Sequence, residues 1–452
     1  MSATADALFC VRASTRFPFV ANPWDRRTNA EQTKVRDDAI ARQLQMLVGP
    51  FSPFWRDRLQ QMGVRIRDVT SAAALRAIPA VGERDVCPTG EASQAARLVL
   101  QVDEAGWALT AGAVEFRKGL TASARGGPSY RQRVEAATRP VSYHFGGRTV
   151  LLPVASTRDD LELQARAGAR LWSVLGLTSA DVLVSGLPVA SRLPHLGLQS
   201  AALGAGAPAL HPGDDIDALG ETLGLVPATV LALPTPRAAP MLRAIGAVPA
   251  SLATVLLVGA PDEDARAAVA DLLPQARALV VWGPDDGRVL YGESAPGSGL
   301  LTSPDLEVLD IVDPATGENA EPGEPGELVV TQLGFAGTAL LRWRTGAVLD
   351  QPLAVGVGVD GRTVPRIATG FGLARAVDPV RALPDRLRLV EGVAAARVER
   401  RRSERDGAEQ LRVHVHRSPG ADAGAVAVTA IREVRNSLGR HATQVVLDDP
   451  PA

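Results

Sequence analysis

The chain predicts an α/β protein: a large domain on a mainly parallel sheet, then a β-rich segment, then a small α+β domain. Three observations carry this. Between residues 157 and 283, short unbroken apolar runs alternate with amphipathic stretches, the pattern of strands covered on both faces by helices. From Glu307 to Thr331, two apolar runs are cut by Asp313-Pro-Ala-Thr-Gly317 and Pro322-Gly-Glu-Pro-Gly326, where proline fixes φ and glycine frees it. Beyond residue 393 the order reads β-β-α-β.

Size and composition narrow the function. A length of 452 residues with 46% hydrophobic content allows large cores. The net charge of −2 makes no electrostatic case for nucleic acid or an acidic membrane as partner. Lys34 and Lys118 are the only lysines among 48 basic residues, a bias in keeping with a GC-rich bacterial genome; any chemistry needing an ammonium has two candidates. Cys10 and Cys87 stand alone, fitting free thiols in a reducing cytosol. Residues 1–20 lack the basic-then-apolar order of a signal peptide, and no apolar run approaches 18 residues; a cytoplasmic protein is expected.

Taken in order, residues 1–50 read as an N-terminal extension with a helix from about Ala30 to Met46. A second helix follows Phe51, with Ser52 as cap, Pro53 in the first turn and Gly63 as terminator. Two glycine turns follow, Leu120–Ser129 and Phe145-Gly-Gly-Arg-Thr149. Thr157 with Asp160 forms a capping-box variant opening a helix from Arg158 to Leu175. Strands are then expected at 181–186, 207–210, 228–233, 254–260 and 278–283, with helices at 196–203, 216–223, 238–245 and 263–273. Sheets of this type bind ligands at the carboxyl ends of their strands, where Gly259-Ala-Pro261 and Trp282-Gly-Pro-Asp-Asp286 lie. Last come strands at 394–399 and 410–416, a helix at 426–438 and a strand at 443–447, an order that suits a ferredoxin-like lid. Of the histidines, His144 sits beside a glycine turn; His195, His211, His414, His416 and His441 are scattered and give no metal-ligand spacing.

The segment Glu307–Gln332 followed by Leu340-Leu-Arg-Trp-Arg-Thr-Gly-Ala347 resembles the adenylate-forming (acyl-CoA synthetase) superfamily in its phenylacetate–CoA ligase branch, where the strings read "EIVDP-TGE-VPPGE-GELVVT" and "LIRYRTGD". The resemblance runs over about residues 50–447. It implies an adenylate-forming domain over 51–366 with a β-subdomain at about 287–366, and a lid over 367–452. It also implies a nucleotide and acyl site made of Gly259, Ala260, Trp282, Gly283, Asp286, Arg344, Thr345, Gly346 and Arg362. Asp286 stands where the family's "YGLSE" motif has its Mg²⁺-holding glutamate, so Asp286 and Arg362 are the candidate catalytic groups and Asp286 the candidate metal ligand. ATP or AMP, Mg²⁺ and CoA are the cofactors if the chain is active.

Departures from the family pattern bear on activity. The family's ribose-binding aspartate is replaced by Ala347, and neither glycine turn keeps the hydroxyl–glycine alternation of the phosphate loop "SSGTTGKPT". In the family a lysine-bearing tail follows the last strand, whereas here the sequence stops at Ala452, so a truncated lid is expected. These departures imply a ligase-like protein that has lost adenylation and binds an acyl or nucleotide small molecule, or serves an active biosynthetic enzyme as partner. The alternatives are an active AMP-forming acyl- or aryl-CoA ligase, and a scaffold with no small ligand.

Overall fold

A computed structural model describes residues 27–87, 92–110, 130–147, 152–188, 193–321, 323–354, 361–368, 372–373, 383–384, 387–388, 390–402, 409–438 and 443–448. Two compact units are present. The Leu120–Ser129 turn, Arg148 and Thr149, and most of the expected hinge after Ala368 lie outside the described residues.

The large unit begins with helix α1 (Asn29–Gln43), which Thr28 and Glu31 close with a reciprocal capping box. Its last turn widens into a π-helix at Leu44–Val48 and runs on to Phe51, past the expected stop at Met46. Residues 29–50 pack within the large unit: Gln43 donates to the Phe335 carbonyl at 3.0 Å and Gln32 to Thr363 Oγ1 at 2.9 Å. Helix α2 (Pro53–Gln61) starts at Ser52, but the Ser52 hydroxyl donates to the Arg97 carbonyl instead of capping. Gly63 ends the helix at φ +67°.

The centre of this unit is an eight-stranded sheet. Strands β3 (Leu183–Ser185), β4 (Ala209–Leu210), β5 (Val230–Pro234), β6 (Thr254–Val258) and β7 (Arg277–Trp282) run parallel in the order 4-3-5-6-7. Strands β8 (Tyr291–Glu293), β9 (Leu300–Leu301) and β13 (Arg366–Ile367) extend the β7 edge antiparallel. A hairpin pairs β1 (Ser142–Gly146) with β2 (Leu152–Ser156).

Side chains alternate between two apolar layers, as the period of a strand dictates. Val184, Leu231, Leu233, Val255, Leu257 and Val280 meet α5 (Ile216–Leu225), α6 (Ala238–Ile245) and α7 (Glu263–Leu272). Leu183, Val230, Ala232, Leu256, Leu279 and Val281 meet α3 (Arg158–Val174) and α4 (Leu193–Ala205). Helices α3 and α4 touch through glycines: a Cβ on Gly204 would fall 1.9 Å from the Ala165 carbonyl oxygen and one on Gly168 2.4 Å from Ala201 Cα.

A four-stranded antiparallel sheet follows, made of β10 (Glu307–Val312), β11 (Gly326–Gln332), β12 (Trp343–Leu349) and β14 (Gly372–Leu373). Its first turn is built as the sequence implies. Asp313 Oδ1 accepts from the Ala315 and Thr316 amides at 2.8 Å, and Gly317 takes φ +75°.

The small unit carries β15 (Val393–Arg402), β16 (Glu409–Arg417), α8 (Ala423–Leu438) and β17 (Thr443–Asp448), with β15 antiparallel and β17 parallel to β16. Leu411, Val413 and Val415 pack there against Val426, Ala430 and Val434. Among the described residues no helix is long and apolar enough to cross a membrane.

Candidate functional site

The parallel strand order reverses between β3 and β5. The crevice beyond the carboxyl ends at such a reversal is where open α/β sheets bind ligands. Gly259, the first residue after β6, has φ +142° and donates from its amide to the Val281 carbonyl at 2.9 Å. A Cβ there would come within 3.1 Å of Thr235 Oγ1. Thr235, just past β5, is 2% exposed, and its hydroxyl has no hydrogen-bond partner. Ala260 is half-buried beside them.

The turn after β7 is tightly held. Trp282 is buried and packs against Tyr291 with ring centroids 5.8 Å apart, and a Cβ on Gly283 would meet the Val289 carbonyl oxygen at 2.7 Å. Asp286 is 2% exposed, and its Oδ2 accepts from Trp343 Nε1 at 2.7 Å. The glycine turn of the β1 hairpin lies against it, since a Cβ on Gly146 would fall 2.8 Å from Asp286 Oδ1. Two motifs far apart in sequence are thus brought together. Among the described residues no group of three His, Cys, Asp or Glu side chains is placed to hold a metal ion.

The arginine corner serves the β-sheet. Arg344 reaches Glu327 Oε2 through Nε at 2.9 Å and Nη2 at 2.5 Å, and also donates to the Pro314 carbonyl at 2.6 Å. Gly346, at φ +70°, donates to Glu327 Oε1 at 2.8 Å, and Thr345 Oγ1 donates to the Leu328 carbonyl at 2.8 Å. Ala347 is completely buried in β12, opposite Leu373. The three residues expected to touch nucleotide therefore tie β12 to β11. Arg342 is buried too, at φ +46°, and binds Asp310, Asn319 and the Ile78 carbonyl. Arg362 is half-buried on the segment before β13, away from this corner in sequence.

Three residues at the crevice side were not singled out by motif. His195 on α4 and His211 after β4 stack edge to face at 4.8 Å between ring centroids. Burial pushes both imidazoles below their ordinary pKa, and His195 adds to the effect on His211. His195 Nδ1 and both ring nitrogens of His211 have no hydrogen-bond partner. His144 on β1 is lowered first by burial, then by the positive charge of Arg288 and by His195. Thr235 adds a buried, unpartnered hydroxyl at the end of β5. For His211 and Thr235 the available signal was a polar residue directly after an apolar strand, Leu210-His211 and Pro234-Thr235.

No protein-family model and no curated protein sequence matches this chain. Solved structures do match in shape. The 2-hydroxyisobutyryl-CoA ligase in complex with 2-HIB-AMP and CoA, in the thioesterification state, aligns over 97% of this chain and 93% of its own with TM-score 0.64 at 16% identity. The chain has the fold of the adenylate-forming acyl-CoA ligases. The same ligase in its postadenylation state with 2-HIB-AMP aligns over 95% of this chain and 88% of its own, with TM-score 0.59 at 17% identity. At the two positions that the sequence resemblance singles out, Asp286 accepts from the Trp343 indole and residue 347 is an alanine.

Proposed function

We propose that this ligase-fold chain has lost, or nearly lost, ATP-dependent acid adenylation, and acts by binding an acyl or nucleotide small molecule or by serving an active biosynthetic enzyme. The observation that carries this reading is Ala347, wholly buried within β12 where the family motif has its ribose aspartate. A carboxylate there would make charge-assisted hydrogen bonds worth about 1.5–3 kcal/mol each. Removing one preorganised polar group from a transition state costs about 10²–10³ in rate. The inward-facing Asp286 and the Glu327-bound Arg344 point the same way, because both are already engaged within the fold.

The test is pyrophosphate release and acyl-AMP formation by the purified chain, with ATP, Mg²⁺ and a panel of aryl and alkyl acids. No acid-dependent signal is expected; robust turnover overturns the proposal. Calorimetry with AMP, ATP and acyl-CoAs separates the two roles. Binding without turnover supports ligand capture, and no heat with any of them leaves the partner role.

A further inference from the structure

A small cavity lies between α3 and α4, beneath the turn that joins β7 to β8. It has a volume of about 10 Å³ and is walled by Leu171, Gly197 and Leu290 on the apolar side and by Gln164 and Arg288 on the polar side. Gln164 is 2% exposed and Arg288 1%. Arg288 spends its terminal nitrogens on Gln332 Oε1 at 2.8 Å, the Thr338 carbonyl at 3.2 Å and the Ala155 carbonyl at 2.7 Å, with its guanidinium carbon 4.8 Å from the centre of the Phe335 ring. Its Nε–H has no acceptor, and Gln164 Oε1 has no donor.

We infer that this cavity is a binding site for a single structural water that accepts from Arg288 Nε and donates to Gln164 Oε1. The volume is about that of one water. The polarity selects water over an ion. Gln164 Nε2 donates to the Arg288 carbonyl at 3.1 Å, which leaves the amide oxygen as the unpartnered acceptor of this cavity-lining residue. A halide would face that oxygen, and a cation would face the guanidinium. Only a neutral molecule that both donates and accepts satisfies the two groups, and each buried group left unmet costs about 1–3 kcal/mol. Burial already pushes the Arg288 pKa down, so a further polar contact has a charge to stabilise. Arg288 ends the turn that carries Asp286, and the water braces that turn against α3.

Atomic-resolution crystallography of the full chain tests this directly. One density peak within hydrogen-bonding distance of both atoms is expected; an empty cavity, or side chains that have turned to bond each other, overturns the site. Oxygen-17 relaxation dispersion gives a second reading in solution. Gln164→Met is expected to lose one long-lived water relative to the wild type, and an unchanged count overturns the inference.

Discussion

Replacing Glu307 with glutamine isolates the most strongly perturbed carboxyl of the large unit. Glu307 begins β10, is 1% exposed and accepts a hydrogen bond from the Tyr291 hydroxyl on β8. Burial pushes its pKa up from 4.5 to about 8, opposed by the Tyr291 and Gln332 hydrogen bonds and reinforced weakly by Asp305. Between those two pH values the unfolded chain has released the proton and the folded chain keeps it. Stability therefore falls as pH rises from about 4.5 to about 8 and is level above. At about 1.4 kcal/mol per pH unit the loss across the window is on the order of 5 kcal/mol. Glu307→Gln keeps the shape and an acceptor for Tyr291 but carries no proton to lose. Urea unfolding of both proteins from pH 5 to pH 8.5 should show the variant gaining on the wild type by several kcal/mol as pH rises. A difference that stays constant with pH refutes the reasoning.

Three further substitutions probe the site and its frame. Ala347→Asp places a charge at a completely buried position; a lowered melting temperature and no ATP-dependent pyrophosphate release are expected, and turnover above wild type would show that β12 still leaves room for a ribose clamp. Arg342→Met leaves Asp310, whose side chain is 6% exposed, with only the outer Arg76 as ionic partner; a loss on the order of 3 kcal/mol in denaturant titration is expected, and a neutral result would mean the ion pair contributes little. Thr235→Val removes a buried hydroxyl that has no partner and should raise stability by about 1 kcal/mol. A lower melting temperature would reveal a partner for that hydroxyl.

Much of the frame was legible in the sequence because it rests on local pattern. The unbroken runs at Val230–Leu233 and Val255–Val258 are strands because apolar side chains are needed on both faces, and Asp313-Pro-Ala-Thr-Gly317 turns because of its own side chains. The interior polar groups were not legible. Asp160 was readable as a helix cap, but its bonds to the Ala336 and Gly337 amides at 2.7 and 2.8 Å join positions 176 and 177 residues apart. Nothing in the sequence marks Arg288 and Arg342 as buried, because their carbonyl and carboxylate partners are supplied only by the fold. Motif order pointed to the Gly259 and Asp286 turns. Whether such residues face a ligand or the core depends on partners such as Trp343, which no spacing rule supplies.

The bonds at Glu327 have a consequence for how such chains are recognised. Arg344 and Gly346 both fasten onto one carboxylate, and that attachment joins β12 to β11 with no nucleotide involved. An alanine scan of this corner would report damage at the same letters in a working catalyst and in an idle one. The string at this corner is thus, in this fold, a record of how two strands are fastened.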